Sequence, residues 1–198
     1  MRAAALLGLV LLAAAGPAGA QAPPATAPPP APIVLGPPPP PATALEAFGA
    51  APGEILTTSY EDLGEVDGVF VEAREMRNSH GARARGIVVT IADRQRDAEP
   101  LQAFIDPDEL TALMRGFDAL LAITVNPNGE FRNFDMRYAT RGELVLTASS
   151  TRQRGVVYGV ETGRLLRARR TLNGGEFNQL RTLVDAAQQK LATLAARH

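Results

Sequence analysis

The side chains best suited to chemistry in this sequence are arginines. Arg152, Arg154, Arg164, Arg167, Arg169 and Arg170 crowd into one short stretch. A guanidinium presents a planar fork of donors that matches the oxygens of carboxylates and phosphates two at a time. On a strand, Arg167 and Arg169 share one face while Arg170 points to the other. The row reads as an anion- or partner-binding surface made of Arg152, Arg154, Arg164, Arg167 and Arg169. Carboxylates elsewhere in the chain compete for these cations, and isolated surface pairs are individually weak. The aromatic interleaving of a base-stacking platform is thin: Phe131, Phe134 and Tyr138 are at hand, and all three suit a core.

Asp106, Asp108 and Glu109 cluster as an acid/base pair or a cation site would. A calcium loop needs oxygens at alternate positions and a glycine turn, and Asp-Pro-Asp-Glu has neither. Helix capping accounts for the group. Asp106 stands at the N-cap, Pro107 at the first helical position, and Glu109 closes a capping box. Asp108 then sits at the positive end of the helix dipole. Ser79 and His80 are adjacent, with Asp93 or Asp97 as third members of a nominal triad. No G-x-S-x-G elbow exists, and a hydroxyl is poorly aimed at the imidazole beside it in the chain. His80 therefore reads as a solvent-exposed turn residue. Asn173-Gly174-Gly175 precedes a helix but lacks the lysine and the glycine spacing of a phosphate loop. With no Cys and only two His, thiolate sites, disulfides, a Cys nucleophile and a lipoprotein anchor are excluded. No catalytic residue, metal site or cofactor is expected.

Positioning these groups falls to a folded region preceded by two other segments. Arg2, the apolar run Ala3–Ala15, the breakers Gly16 and Pro17, and small-residue sites around Ala18–Ala22 make residues 1–20 an export signal peptide. The run is too short to span a bilayer. Residues 21–41 form a proline-rich spacer, with 11 of the 16 prolines between positions 23 and 41. Proline fixes φ and donates no hydrogen bond, so residues 23–41 are extended polyproline II or disordered, with a reach of up to about 60 Å at ~3.1 Å per residue; a docking motif for a proline-binding module is the alternative to a plain spacer. Residues 42–198 remain as one α+β domain.

Within it, strands are expected at about 55–62, 68–76, 84–92 and 101–105, then a helix whose apolar stripe runs Leu110, Leu113, Met114, Phe117, Leu120, Leu121. Turn residues Asn126–Gly129 close the half. Strands at 130–139, 143–150, 155–161 and 164–172 follow, and Asn173 with Glu176 caps a second amphipathic helix. The order is a tandem ββββα-ββββα, two antiparallel sheets each covered by one helix and packed as a single domain. Asp106, Glu109, Leu110 and Leu113 map at a constant offset of 67 onto Asn173, Glu176, Phe177 and Leu180. That correspondence suggests a duplication with units at about 54–125 and 130–197, although capped amphipathic helices also resemble one another by composition. Tandem ββββα units occur in some single-stranded nucleic-acid binders, an analogy of topology that fixes no function.

Charge is unevenly divided. Residues 42–129 carry seven Arg against fifteen carboxylates, and residues 130–198 carry twelve Arg and Lys against six. The near-neutral total of −1 thus conceals an acidic half and a basic half. The expected function is a periplasmic or secreted, non-enzymatic binding or accessory module of the cell envelope. Its partner would be an anionic envelope component or an acidic protein; nucleic acid is disfavoured, and no transmembrane segment remains in the mature chain. A hydrolase using carboxylates that the sequence does not pair is one alternative. A structural protein that self-associates, acidic half to basic half, is the other.

Overall fold

Alternating apolar residues dictate the first sheet. In the computed structural model, which describes residues 40–92, 100–123, 133–151 and 155–196, β1 (Leu56–Val66), β2 (Val69–Asn78), β3 (Arg83–Ile91) and β4 (Leu101–Ile105) form an antiparallel meander in chain order. Residues 1–39, where a signal peptide and most of a spacer are expected, the turn expected at 126–129, and Asp93, Asp97, Phe131, Arg152, Arg154 and His198 lie outside the described residues. Between β1 and β2, Asp67 (φ 45°) and Gly68 (φ 79°) form a two-residue hairpin that needs positive φ at both positions. Register follows, with Val66 opposite Val69 and Tyr60 opposite Arg74. Asn78 closes the next turn, its side-chain oxygen accepting from the Ala82 and His80 amides.

The second sheet repeats the plan with β5 (Phe134–Ala139), β6 (Val145–Thr151), β7 (Gly155–Thr162) and β8 (Ala168–Leu172). The expected strand from 164 is shorter than its pattern suggested. Gly163 (φ 98°) ends β7, and residues 164–166 form a bend before β8 begins.

Three helices complete the described chain: α1 (Ala44–Gly49), α2 (Leu110–Leu121) and α3 (Gly174–Ala196). No described helix is long and apolar enough to cross a membrane. At α3 the cap is the expected one. The Asn173 side chain accepts from the Glu176 amide at 3.0 Å, and Glu176 accepts from the Asn173 amide at 2.8 Å. At α2 the expected box does not form. Pro107–Glu109 is a 3₁₀ turn, and the Asp106 carboxylate instead accepts from the amides of Ala44 (2.7 Å) and Leu45 (3.2 Å), at the start of α1. Two free helical N–H groups outcompete the local turn for that carboxylate. Helix α1 is too short to show an apolar stripe, and its sequence signal is the capping box that Thr43 and Glu46 complete.

The buried faces of β2 (Val69, Val71, Ala73) and β3 (Ile87, Val89, Ile91) join Leu146, Val160 and Leu172 of the second sheet in one apolar cluster. Phe117 of α2 and Tyr158 of β7 meet Phe177 of α3 at centroid distances of 5.0 and 4.6 Å. Helix α2 packs on β5 and β6, whereas α3 packs chiefly on β1 and β2 and reaches β3, β7 and β8. A smaller cluster on the opposite face of the first sheet seats Leu45 and Phe48 of α1 against Met76, Val88 and Phe104.

Candidate functional site

On the second sheet, the side chains that do not enter the core define the candidate surface. Leu146, Ala148, Tyr158, Val160 and Leu172 face inward, so strand alternation turns Arg137, Thr147, Ser149, Gly159, Glu161, Arg169 and Thr171 to the other side. Register brings them into rows. Arg137 lies opposite Thr147, which lies opposite Gly159, and Glu161 lies opposite Arg169.

Glu161 is the pivot of this face. Nη1 of Arg167 and Nη1 of Arg169 each stand 3.6 Å from its carboxylate, one on each oxygen. Both guanidiniums remain more than half exposed, at 53% and 57%, while Glu161 is only 17% exposed. Two cations therefore share one carboxylate, and the surplus charge faces solvent. Arg169 also lies over the bare backbone of Gly159, beside the buried Thr147 hydroxyl, which has no hydrogen-bond partner among the described residues. Arg137 is exposed at the end of the same row and makes no ion pair among the described residues.

Arg164 and Arg170 are engaged elsewhere. Arg164, expected on a strand with the rest, sits in the bend, 16% exposed. It donates to Glu46 of α1 at 2.9 Å and also reaches the Pro40 carbonyl. Its role is to tie the β7–β8 bend to the start of the folded region, so it leaves the candidate surface. Arg170 points to the opposite side of β8 and donates to the Ala92 carbonyl. Arg152 and Arg154 lie outside the described residues.

Each of the remaining candidates has a structural account. Asp106, Asp108 and Glu109 converge on Arg141, at 3.7, 2.5 and 3.0 Å. The hydrogen bond to Glu109, chiefly, holds the Arg141 guanidinium above its usual value. This is a bridge between the two halves, and no local motif around Arg141 announces it. Burial first, and then the nearby Glu109 carboxylate, raises the Tyr138 phenol, with Arg115 opposing. Ser79 and His80 occupy an exposed turn, and the His80 amide is bonded to Asn78. At α3 the first-turn amide of Glu176 is already occupied by Asn173. Among the described residues no three His, Cys, Asp or Glu side chains gather as a metal set. No protein-family model matches the chain, and no curated protein matches it.

Proposed function

We propose that this chain is an exported, non-enzymatic binding or accessory module of the cell envelope that meets an anionic partner through the outer face of its second sheet. Residues 42–198 act as one working domain, each sheet covered by an amphipathic helix, carried on the proline-rich segment. The observation that carries it is the pair Arg167 and Arg169, both more than half exposed and both leaning on the single carboxylate of Glu161. An approaching phosphate or carboxylate gains two forks already held in place, so little side-chain entropy is lost on contact. Arg137 extends the same surface, and the adjacent Gly159, Ser149 and Thr147 leave it without bulky obstruction.

The hydrolase alternative finds less support. The open cleft beside α3 contains Glu61 and Glu75, and each of these carboxylates is ion-paired, with Lys190 and with Arg83 and Arg85 respectively.

The test uses residues 21–198, which contain intact the compact unit Pro39–His198. Retention on immobilised heparin and co-sedimentation with anionic phospholipid vesicles are compared with the triple variant Arg137→Glu, Arg167→Glu, Arg169→Glu. The wild-type chain is retained at low salt and elutes as salt rises, and the variant flows through. A wild-type chain that is not retained, or a variant retained equally well, overturns the proposal.

A further inference from the structure

Edge strands present unpaired backbone donors and acceptors, and natural sheets guard them with charge, proline or brevity. Three of the four edges here are guarded. Strand β4 is bridged at Phe104 to Gly142, β5 is six residues long with Asp135 and Arg137 exposed, and β8 is five residues long with two arginines. Strand β1 is different. It runs for 11 residues, pairs with β2 on one side, and has no strand on the other among the described residues. Its first half, Leu56-Thr57-Thr58-Ser59-Tyr60, contains neither charge nor proline. The two most conspicuous exposed apolar residues of this edge, Ile55 (78%) and Tyr60 (70%), bracket that half.

We infer that the β1 edge pairs antiparallel with β1 of a second copy of this chain, about a two-fold axis at Thr58. Residues directly opposite in an antiparallel pair share a face, so a symmetric pairing can only oppose residues an even number apart in sequence. Centring on Thr58 sets Thr58 against itself, Leu56 against Tyr60, and Thr57 against Ser59. These are hydroxyl pairs and an aliphatic–aromatic pair, with no charge in the five-residue overlap. Centring on Thr57 would put Tyr60 against Glu54, and centring on Ser59 would put Leu56 against Asp62. Both bring a carboxylate onto Leu56 or Tyr60, inside the uncharged half of the strand. The Thr58 register keeps those two against each other, and the carboxylates it brings in beyond the overlap are already engaged: Glu61, opposite Ile55, by Lys190, and Glu54 and Asp62, opposite one another, by the Asn78 side chain and the Gly64 amide.

The same register places Ile55. Alternation carried one residue beyond the strand sets Ile55 on the face of Ser59 and Glu61, opposite Glu61 of the other copy. That face holds an open cleft of about 210 Å³ with Ala73 and Leu194 among its lining, and Glu61 is turned aside into its pair with Lys190. Ile55 of each copy enters the cleft of the other. Two otherwise unexplained exposed side chains are thereby buried in one symmetric contact.

Sedimentation velocity of residues 21–198 over a wide concentration range, at low and high salt, tests this. The expected result is a monomer–dimer equilibrium that survives high salt, because backbone pairing and apolar burial carry it. Thr58 is exposed, so its replacement leaves the fold intact by circular dichroism. Thr58→Lys and Thr58→Glu each set like charges face to face on the axis and weaken the dimer by at least about tenfold. Mixing the two variants restores dimer, because opposite charges then meet. Ile55→Ala weakens association without touching the strand. A monomer at every concentration, a dimer indifferent to Thr58→Lys, or a mixture that fails to recover overturns the inference. The Arg137, Arg167 and Arg169 variant keeps its dimer, so failure here and failure of the anion-binding proposal are read separately.

Discussion

Replacing Asp106 by Ala tests whether a carboxylate that looks like a local helix cap works at long range. Asp106 is 5% exposed and accepts from the amides of Ala44 and Leu45, some sixty residues earlier. Leu45 is fully buried, so water does not replace the acceptor lost at its N–H, whereas Ala44 is exposed enough to be rehydrated. One charge-assisted bond to a buried donor, with the donor left unsatisfied, costs about 2–3 kcal/mol. For a folded unit of this size that lowers Tm by about 5–10 °C. Asp106→Asn retains one acceptor oxygen and costs about 1 kcal/mol. Thermal and urea unfolding give the totals, and amide hydrogen exchange gives the location. Protection should fall first at Ala44–Phe48, because without Asp106 the short α1 is held by Leu45, Phe48 and the Arg164–Glu46 pair. If Asp106→Ala costs less than about 0.5 kcal/mol, the long-range cap contributes nothing beyond an ordinary surface residue. If protection is lost at Asp108–Leu110 instead, Asp106 serves its own helix and the reasoning is wrong.

Phe177 stacks on Tyr158 and touches Phe117 with no exposed surface, so Phe177→Ala should destabilise by about 3–5 kcal/mol, read as a lower urea midpoint at unchanged slope. A Cβ at Gly142 would fall 1.8 Å from the Phe104 carbonyl oxygen, so Gly142→Ala must displace the bridge between the halves and cost about 3 kcal/mol. An unchanged Tm would show that this contact is not maintained. Burial raises the Tyr138 phenol, so the folded chain keeps its proton where the unfolded chain has lost it. Above pH ~10 the unfolded state therefore binds fewer protons, and stability falls as pH rises, while below that value the residue contributes no slope. Urea unfolding across alkaline pH should show a shallower decline for Tyr138→Phe than for the wild type, and identical slopes would refute the assignment.

What the sequence made legible, and what it hid, is set by the distance between partners. Asn173-x-x-Glu176 and Asp106-x-x-Glu109 carry the same local signal, and only the first becomes a capping box. Among the described residues the Asn173 side chain has the Glu176 amide as its partner. Asp106 faces the open N-terminus of α1, and Glu109 faces Arg141, and neither partner is visible to a rule that looks three residues ahead. Arg164 and Arg167 diverge for the same reason. Spacing alone puts both on one strand, but Glu46 pairs with Arg164 and holds it in the bend. Arg167 falls just before β8 and Arg169 lies within it, so strand alternation does not place the first; what the two share is the Glu161 carboxylate, which the register of β7 with β8 sets opposite Arg169. The acidic and basic halves are therefore only partly each other's partners. Arg141, Arg164 and Arg181 cross between them to Asp106, Glu46 and Asp118, while Arg167 and Arg169 find their carboxylate within their own sheet. The cations that bridge the halves are held in place by the fold. The pair that does not bridge them keeps a surplus of charge facing outward, and that surplus is what an external anion would meet.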